Sequence, residues 1–173
     1  MKKILVAVFA VLFTLPAFSQ NKFVGMKACI CHKLAKQGKQ VEIWEKTKHA
    51  DAYNVLKTDK ATEYMKAKKL EGAATDAKEC LECHTTGYGE PQEKSFDMTM
   101  GVQCEACHGA ASGYKLIHNK PAKFDEAVKA GLIINKKEDG TMCKKCHTPK
   151  MHPMKDFDFK KMWPEIKHPL PKG

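Results

Sequence analysis

The hydrophobic residues of this chain recur at helical spacing in short stretches, and two-residue alternation is almost absent. A helix is predicted over about 37–57, where apolar side chains recur along one helical face. They are Val41, Trp44, Ala52, Val55 and Leu56. A second helix is predicted to begin near Asp59, and it carries Ala61, Tyr64, Met65 and Leu70. The stretch "FDMTM" at 96–100 alternates weakly and predicts a short extended piece.

Start and stop signals predict further short helices along the chain. Asp76 and Glu79 have the three-residue spacing of a capping box before the next helical stretch. Pro121 is well placed to begin a helix that ends near Ala130, with Gly131 as its stop.

Irregular chain is predicted between these helices and towards the C-terminus. Residues 86–101 contain Gly87, Gly89 and Pro91, which predict a loop. Pro164 is expected to interrupt or kink the last helical stretch. The predicted fold class is therefore mostly α with much irregular chain.

The first 19 residues have the pattern of a secretory signal peptide. Two lysines precede the apolar run Ile4–Phe13, and Ala17-Phe18-Ser19 offers a small-x-small cleavage site. The apolar run is shorter than the roughly 20 residues that a comfortable membrane span needs; an uncleaved anchor is the alternative. The pattern predicts export to the periplasm, no stable membrane span in the mature chain, and a single domain over 20–173.

All eight cysteines occur in four close pairs, and a histidine directly follows each pair. Three motifs read C-x-x-C-H, and the first is one residue shorter, C-x-C-H. The motif residues are Cys29, Cys31 and His32; Cys80, Cys83 and His84; Cys104, Cys107 and His108; and Cys143, Cys146 and His147. Export permits disulfides, but cysteines this close in sequence rarely bridge within a compact turn. The pairs therefore favour a cofactor or metal site.

The histidine after each pair favours covalent haem over other cofactors. Attachment of haem c needs two thiols for the vinyl groups on one porphyrin edge and an imidazole for the iron, and C-x-x-C-H supplies all three. Zinc ribbons or iron–sulfur clusters are the rivals. Neither requires the histidine, which is only 8 of the 173 residues and yet follows every pair. We therefore expect four haem c groups, the first of them less certain because of its shortened motif.

The shortened first motif leaves its attachment open. On an α-helix a two-residue step turns the side chain by about 200°, so Cys29 would face away from Cys31. Either the local backbone is not helical there, or Cys31 alone forms a thioether. His32 can bind iron in both cases, and an empty site is the third alternative.

Four further histidines equal in number the sixth positions of four haem irons: His49, His118, His152 and His168. His49 lies beside the apolar face of the predicted helix over 37–57, His118 follows a Gly-rich turn, and His168 follows an aromatic-rich stretch. His152 lies between prolines and is either a ligand or a surface loop residue. Methionine is the other possible axial ligand, but most methionines fill cores, and none is assigned to iron.

The chain is strongly basic, with a formal net charge of +10. Without residues 1–19 it keeps 28 of its 30 basic residues and all 20 acidic ones, a net charge of +8. Nucleic acid or anionic lipid could attract such a chain. It contains no arginine, however, and arginine is the preferred reader of phosphates and bases. We expect the lysines to balance several anionic cofactors, and no nucleic-acid partner.

Four segments together resemble the tetrahaem cytochrome c-554 family. They are "FVGMKACICHKL…WEKTKHADA", "ECLECHTTGYG", "GVQCEACHGAASGY…H" and "CKKCHTPK…FDF…W…IKHP". The likeness spans nearly the whole mature chain, from Phe23 to Pro169. It implies a mostly helical fold, four covalent haems in close pairs and periplasmic electron transfer. Because the chain has few apolar side chains for its length, the haems would form much of the core.

The resemblance also implies roles for single histidines. His49, in the W…HA segment, would cap the haem of another motif, and the same carry-over applies to His118 and His168. His152 matches no family position. The family mixes six-coordinate irons with at least one open iron, and the departure at the first motif puts its double thioether in question.

These observations favour an electron carrier that exchanges electrons with a donor and an acceptor protein. The alternative is a reductase of a nitrogen oxide or hydroxylamine at a five-coordinate haem, although no residue is nominated as a proton donor. A zinc-binding structural module is the third hypothesis. The sequence does not specify the redox partners, the haem potentials or the oligomeric state.

Overall fold

The computed structural model describes residues 20–134, 139–148 and 157–170. Within these ranges the chain forms short helices joined by turns and irregular segments. The β pairing present there is an isolated bridge between Phe23 and Gln92. The described chain agrees with the predicted class, mostly α with much irregular structure.

Six short α-helices lie in these ranges, and the longest, α2, has nine residues. They are α1 Gln40–Trp44, α2 Asp59–Ala67, α3 Lys78–His84, α4 Glu105–His108, α5 Phe124–Lys129 and α6 Phe159–Ile166. The 3₁₀ helices are Met26–Lys33, Ala35–Gln37, Asn54–Lys57, Met98–Met100, Ala111–Gly113, Pro121–Lys123 and Cys143–Lys145. Helices this short are not stable in isolation, so contacts between them hold the fold together.

The predicted helix over about 37–57 is wrong in extent. Only α1 is α-helical there, and turns follow as far as the 3₁₀ helix Asn54–Lys57. Hydrogen bonds to another part of the chain replace helical pairing. Trp44 Nε1 donates to the Val102 carbonyl at 2.7 Å, and the Val102 N–H donates to the His49 carbonyl at 2.9 Å. Tertiary contacts here override a helical pattern.

Two other predicted boundaries are confirmed. α2 begins at Asp59, where the Thr58 hydroxyl accepts the Ala61 N–H. Pro121 begins a 3₁₀ turn that leads into α5, and Gly131 follows that helix with a φ of 104°. In both places a local capping or turn preference agrees with the tertiary structure.

Two finer predictions, and one alternative of a third, are wrong. α3 begins without a side-chain cap, so Asp76 and Glu79 form no capping box. Residues 96–100 do not form an extended piece, because the Asp97 side chain caps a 3₁₀ turn over Met98–Met100. Of the two alternatives for Pro164, interruption is wrong, because α6 runs through it and ends two residues later; a kink stays a prediction.

The apolar core of the described chain is divided into two small clusters. The first packs the N-terminal segment against the region of α5, and its buried members are Val24, Ala111, Tyr114, Ala127 and Leu132. The second packs α2 against α3, and its buried members are Leu56, Met65, Ala74, Cys80 and Leu81. Each cluster adjoins a cysteine–histidine motif, so the motifs and the apolar core are built together.

In the part of the chain that the structure describes, no helix is long and apolar enough to cross a membrane. The predicted signal peptide over 1–19 and the candidate ligand His152 lie outside that part. Both stay predictions.

Candidate metal centres

The four cysteine–histidine motifs lie on short helical turns. The second motif lies on α3, the third runs into α4, and the fourth begins on the 3₁₀ helix Cys143–Lys145. The first lies wholly on the 3₁₀ helix Met26–Lys33. With about three residues per turn, this helix places Cys29 and Cys31 about 120° apart, against about 160° on an α-helix. Of the alternatives for the shortened motif, a non-helical backbone is wrong, because the motif lies on a helix, although the 3₁₀ turn brings the two cysteines closer to one side.

Three motif histidines each lie beside one of the additional histidines. The ring centres are 5.9 Å apart for His32 and His118, 6.0 Å for His147 and His49, and 5.8 Å for His108 and His168. In each pair one histidine comes from a motif and the other from a different region of the chain. The structure thus places His49, His118 and His168 where an axial ligand is expected.

The spacing of the paired rings fits a metal ion bound between them. Imidazole nitrogens bind metals at about 2 Å, which separates the centres of two rings on one metal by roughly 6 Å. Two ligands suit a metal whose remaining ligands come from its own macrocycle. Among the described residues, no group of three or more His, Cys, Asp or Glu could hold a metal ion, whereas a structural zinc site uses four.

Backbone carbonyls fix which ring nitrogen of several histidines faces a metal. Nδ1 lies 2.7 Å from the Ala52 carbonyl in His84, 3.0 Å from the Ile133 carbonyl in His108, and 3.0 Å from the Lys115 carbonyl in His118. Because a carbonyl can only accept, each Nδ1 carries the proton. Nε2 then keeps its lone pair, which is the arrangement found in metal-bound histidines.

Gln40 is a side-chain partner of His32. His32 Nδ1 lies 3.3 Å from Gln40 Oε1, and Gln40 Nε2 donates to the carbonyls of Gln37 and Pro169, the latter at 3.0 Å. Gln40 is buried, and both ends of its amide are used. The same side chain therefore orients the first motif histidine and holds the segment next to His168.

A close backbone contact positions His49. Gly101 has a φ of 75°, and a Cβ atom there would lie 2.5 Å from the His49 carbonyl oxygen. Only glycine fits this approach. The chain that leads into the third motif therefore also holds the histidine that lies beside His147.

The third motif histidine is fixed by a reciprocal pair of hydrogen bonds. The Ile133 N–H donates to the His108 carbonyl at 3.0 Å, and His108 Nδ1 donates back to the Ile133 carbonyl. Gly109, with a φ of 80°, lets the chain pass the Gly131 carbonyl, which a Cβ atom would meet at 2.5 Å. The Tyr114 hydroxyl adds hydrogen bonds to the carbonyls of His108 and Gly109 at 3.0 and 2.8 Å.

Burial keeps three of the paired imidazoles neutral. Desolvation is the main cause that lowers the pKa of His32, His49 and His108. Neighbouring imidazoles, which disfavour a second positive charge nearby, lower each of these pKa values further. A neutral imidazole is the form that binds a metal.

None of the eight cysteines forms a disulfide, and the first and third motifs meet through two of them. Cys29 forms a side-chain hydrogen bond with Cys104, and this bond is the main cause that raises the pKa of Cys29 and lowers that of Cys104. The direction of both shifts makes Cys29 the donor. The predicted attachment atoms of these two motifs therefore lie side by side.

Cysteines of the fourth motif also lie near cysteines of the third and of the second. Burial raises the pKa of Cys107 to about 11, and the nearby Cys143 thiol adds to the rise. Burial is the main cause that raises the pKa of Cys146 to about 12. Cys83 raises it further through its charge and through a side-chain hydrogen bond. The motifs consequently lie next to one another in the order first, third, fourth, second.

Large apolar side chains next to the paired histidines are exposed in the protein alone. Ile30 and Leu34 flank His32, Leu116 lies two residues before His118, and Leu170 lies two residues after His168; their exposed fractions run from 49% to 79%. Exposed apolar patches can mark ligand-binding sites. A flat hydrophobic macrocycle held between the paired imidazoles would cover such groups, so the residues present fit haem.

Two residues that help build these centres were missed by sequence reasoning. Gln40 and Glu105 are buried, at 7% and 2% exposure, and both make hydrogen bonds to distant parts of the chain. Glu105 occupies one of the x positions of C-x-x-C-H, where the motif sets no requirement. No signal in a single sequence distinguishes either residue from an exposed polar one.

The chain is similar to known proteins over most of its length. Residues 28–109, which contain the first three motifs, match the family described as cytochrome c554 and c-prime. Over 138 residues the chain is 34% identical to cytochrome c-554 of Nitrosomonas europaea, an alignment that covers 72% of this chain. The chain spans 57% of the length of that curated relative. No solved structure matches it.

Proposed function

This chain belongs to the cytochrome c-554 family, and we propose that it is a periplasmic tetrahaem cytochrome that carries electrons between redox proteins. The family accounts for haem c, iron and a role in electron transfer. The number of haems, the histidine ligands, the compartment and the exchange with partner proteins are the parts that we add from this chain's own residues.

The three histidine pairs are the observation that carries this proposal. Each pair offers two imidazole nitrogens to one metal, at ring-centre distances of 5.8–6.0 Å. Haem c bound there supplies a one-electron iron couple. Carbonyls and Gln40 hold the imidazoles in place, so the ligand geometry is the same in both oxidation states. An electron carrier benefits because little has to rearrange when the electron moves.

The proximity of thiols from different motifs supports a relay through the protein. Cys29 with Cys104, Cys107 with Cys143, and Cys146 with Cys83 place the motifs in the order first, third, fourth, second. Neighbouring attachment points bring neighbouring centres close together. The first and second motifs lie at the two ends of this order, and we expect the electron donor and the acceptor to dock there.

The proposal is tested by counting cofactors and observing electron transfer on exported protein. Intact mass under denaturing conditions should show four covalent haems and a mature chain that begins after Ser19. In stopped-flow mixing, the reduced protein should pass electrons to an oxidised c-type cytochrome without turning over nitrite or hydroxylamine. Zinc in place of iron would contradict the proposal. High-spin signals that respond to nitric oxide, together with turnover, would replace the carrier function by a reductase.

The first motif gives a separate prediction. Cys29→Ala should keep four haems, because Cys31 directly precedes His32 as the second cysteine of every motif does, while the Cys29 thiol is directed to Cys104. Cys31→Ala, the matched control, should lose the first haem. Mass spectrometry under denaturing conditions reads both outcomes, since only covalent haem survives. Three haems in Cys29→Ala and four in Cys31→Ala would reverse the assignment.

A further inference from the structure

Glu105 is a charged side chain that is almost completely buried, at 2% exposure. Its two carboxylate oxygens accept backbone N–H groups from three residues. The distances are 2.9 and 3.1 Å from Val24, 2.7 Å from Gly25 and 2.7 Å from Ala111. An ionised carboxylate is acceptor-only, and these donors match that form. The fold therefore provides a fitted site for a negative charge.

No described lysine or histidine lies within ion-pair distance of this carboxylate, although six other ion pairs involving Asp or Glu occur in the described chain. Among the described residues, its charge is compensated by these N–H dipoles. Buried groups are screened much less by water and salt than exposed ones. The field of Glu105 consequently extends into the protein around it.

Glu105 lies between two of the proposed haem centres. It follows Cys104 directly in the third motif, and its hydrogen bonds to Val24 and Gly25 hold the segment that leads into the first motif. Cys104 in turn contacts Cys29 of the first motif. One carboxylate is thus adjacent to the attachment atoms of both centres.

The charge of Glu105 affects the pKa values of neighbouring groups. Glu105 contributes to the raised pKa of Cys29 and acts in the same direction on Cys104, where other causes dominate. After burial, it is the next cause that raises the pKa of Tyr114, whose hydroxyl donates to the His108 carbonyl. The charge therefore reaches groups on both sides of the boundary between the first and third motifs.

We propose that Glu105 is a fixed negative charge shared by the first and third centres, and that it lowers the reduction potential of both haems. Reduction adds an electron to each iron, and a buried negative charge nearby opposes that addition. Burial and local charge are among the factors that set haem potentials. The second and fourth centres, which are built from other parts of the chain, should feel this charge far less.

The inference rests on the proposed function, so its test begins with a haem count. Glu105→Gln removes the charge and keeps the size of the side chain. In a spectroelectrochemical titration, two of the four haems should become at least tenfold easier to reduce, an upward shift of about 59 mV or more for one electron. The matched control is Glu82→Gln in the second motif, where the carboxylate is 53% exposed and lies 3.6 Å from Lys78. This control should change the reduction equilibrium constant of each of the four haems by less than threefold relative to the native protein.

A second variant separates charge from structure. The amide introduced by Glu105→Gln would turn a donor towards backbone N–H groups, so this variant could fail to assemble. Glu105→Asp keeps the charge but shortens the side chain, and it decides the question by itself. We expect Glu105→Asp to lower the thermal stability. The reduction equilibrium constant of each haem should stay within threefold of its value in the native protein. A tenfold change in either direction would instead show that packing, and not charge, sets the potentials.

The two levels of the proposal fail in different ways. Native protein without covalent haem contradicts the proposed function. Four haems whose potentials do not respond to Glu105→Gln contradict the role of Glu105 alone. A shift confined to one haem, or spread equally over all four, also overturns a charge shared by the first and third centres.

Discussion

Protein produced without haem attachment is expected to have no cooperative fold. The longest α-helix in the described chain has nine residues, whereas isolated helices shorter than about 12–15 residues are marginal in water. The helices must therefore be held by packing. Chains whose binding energy for a cofactor is part of their folding energy unfold when that cofactor is missing.

The packing available without haem is small. The two apolar clusters contain five buried residues each, while Leu116 and Leu170 are more than three-quarters exposed beside paired histidines. Three imidazole pairs would also face each other with no metal between them, and burial lowers the pKa of His32, His49 and His108. Since native domains are stable by only about 5–15 kcal/mol, the loss of the central contacts should be decisive.

The measurement compares the same chain exported from cells with and without the cytochrome c maturation machinery. We expect the haem-free chain to lose about half or more of its helical circular dichroism, to show no sigmoidal melt and to be digested rapidly by protease. A variant with serine at all eight cysteines, made in the complete strain, controls for effects of the strain itself. A haem-free chain that melted cooperatively would show that the protein core suffices.

How much of these centres a sequence reveals depends on whether a feature is local. Cys80, Cys83 and His84 are recognisable because thioether attachment fixes their spacing. The pairing of His49 with His147 is not local, since it depends on Gly101 meeting the His49 carbonyl. The sequence nominated His49, His118 and His168 as ligands but could not say which motif each one serves.

The predicted helix over 37–57 failed for the same reason. The apolar spacing there is real, but the Trp44 indole and the His49 carbonyl pair with Val102, and these bonds require a chain that turns. Glu105 and Gln40 show the complementary limit. Their positions in the sequence permit full exposure, and only the assembled fold shows that each is buried between two centres.

Removal of one of the paired histidines that lie outside the motifs (His49, His118 or His168) is expected to convert one haem, and only one, from low-spin to high-spin. His49→Ala would leave His147 as the single protein ligand of the fourth centre, because their ring centres are 6.0 Å apart. A vacated sixth position weakens the ligand field of that iron. Electron paramagnetic resonance of the oxidised protein should therefore show about one high-spin haem more than the native protein, and added imidazole should restore the low-spin signal.

The exposed neighbour Lys48 provides the control, and Lys48→Ala should leave the spectrum unchanged. His49→Met should keep six ligands while raising the potential of one haem, as methionine does in place of histidine. Equivalent single conversions are expected for His118→Ala at the first centre and His168→Ala at the third. An unchanged spectrum in His49→Ala would contradict its role as a ligand.

The assignment of His49 to the fourth centre can be tested by a double-mutant cycle. In protein that lacks Cys143 and Cys146, the fourth haem is not attached, and His49 has no iron to bind. His49→Ala should then add no high-spin signal, whereas His118→Ala and His168→Ala should each still add one. If His49→Ala still converted a haem in that background, it would serve a different motif, and the spatial order of the four centres inferred from the thiol contacts would have to be redrawn.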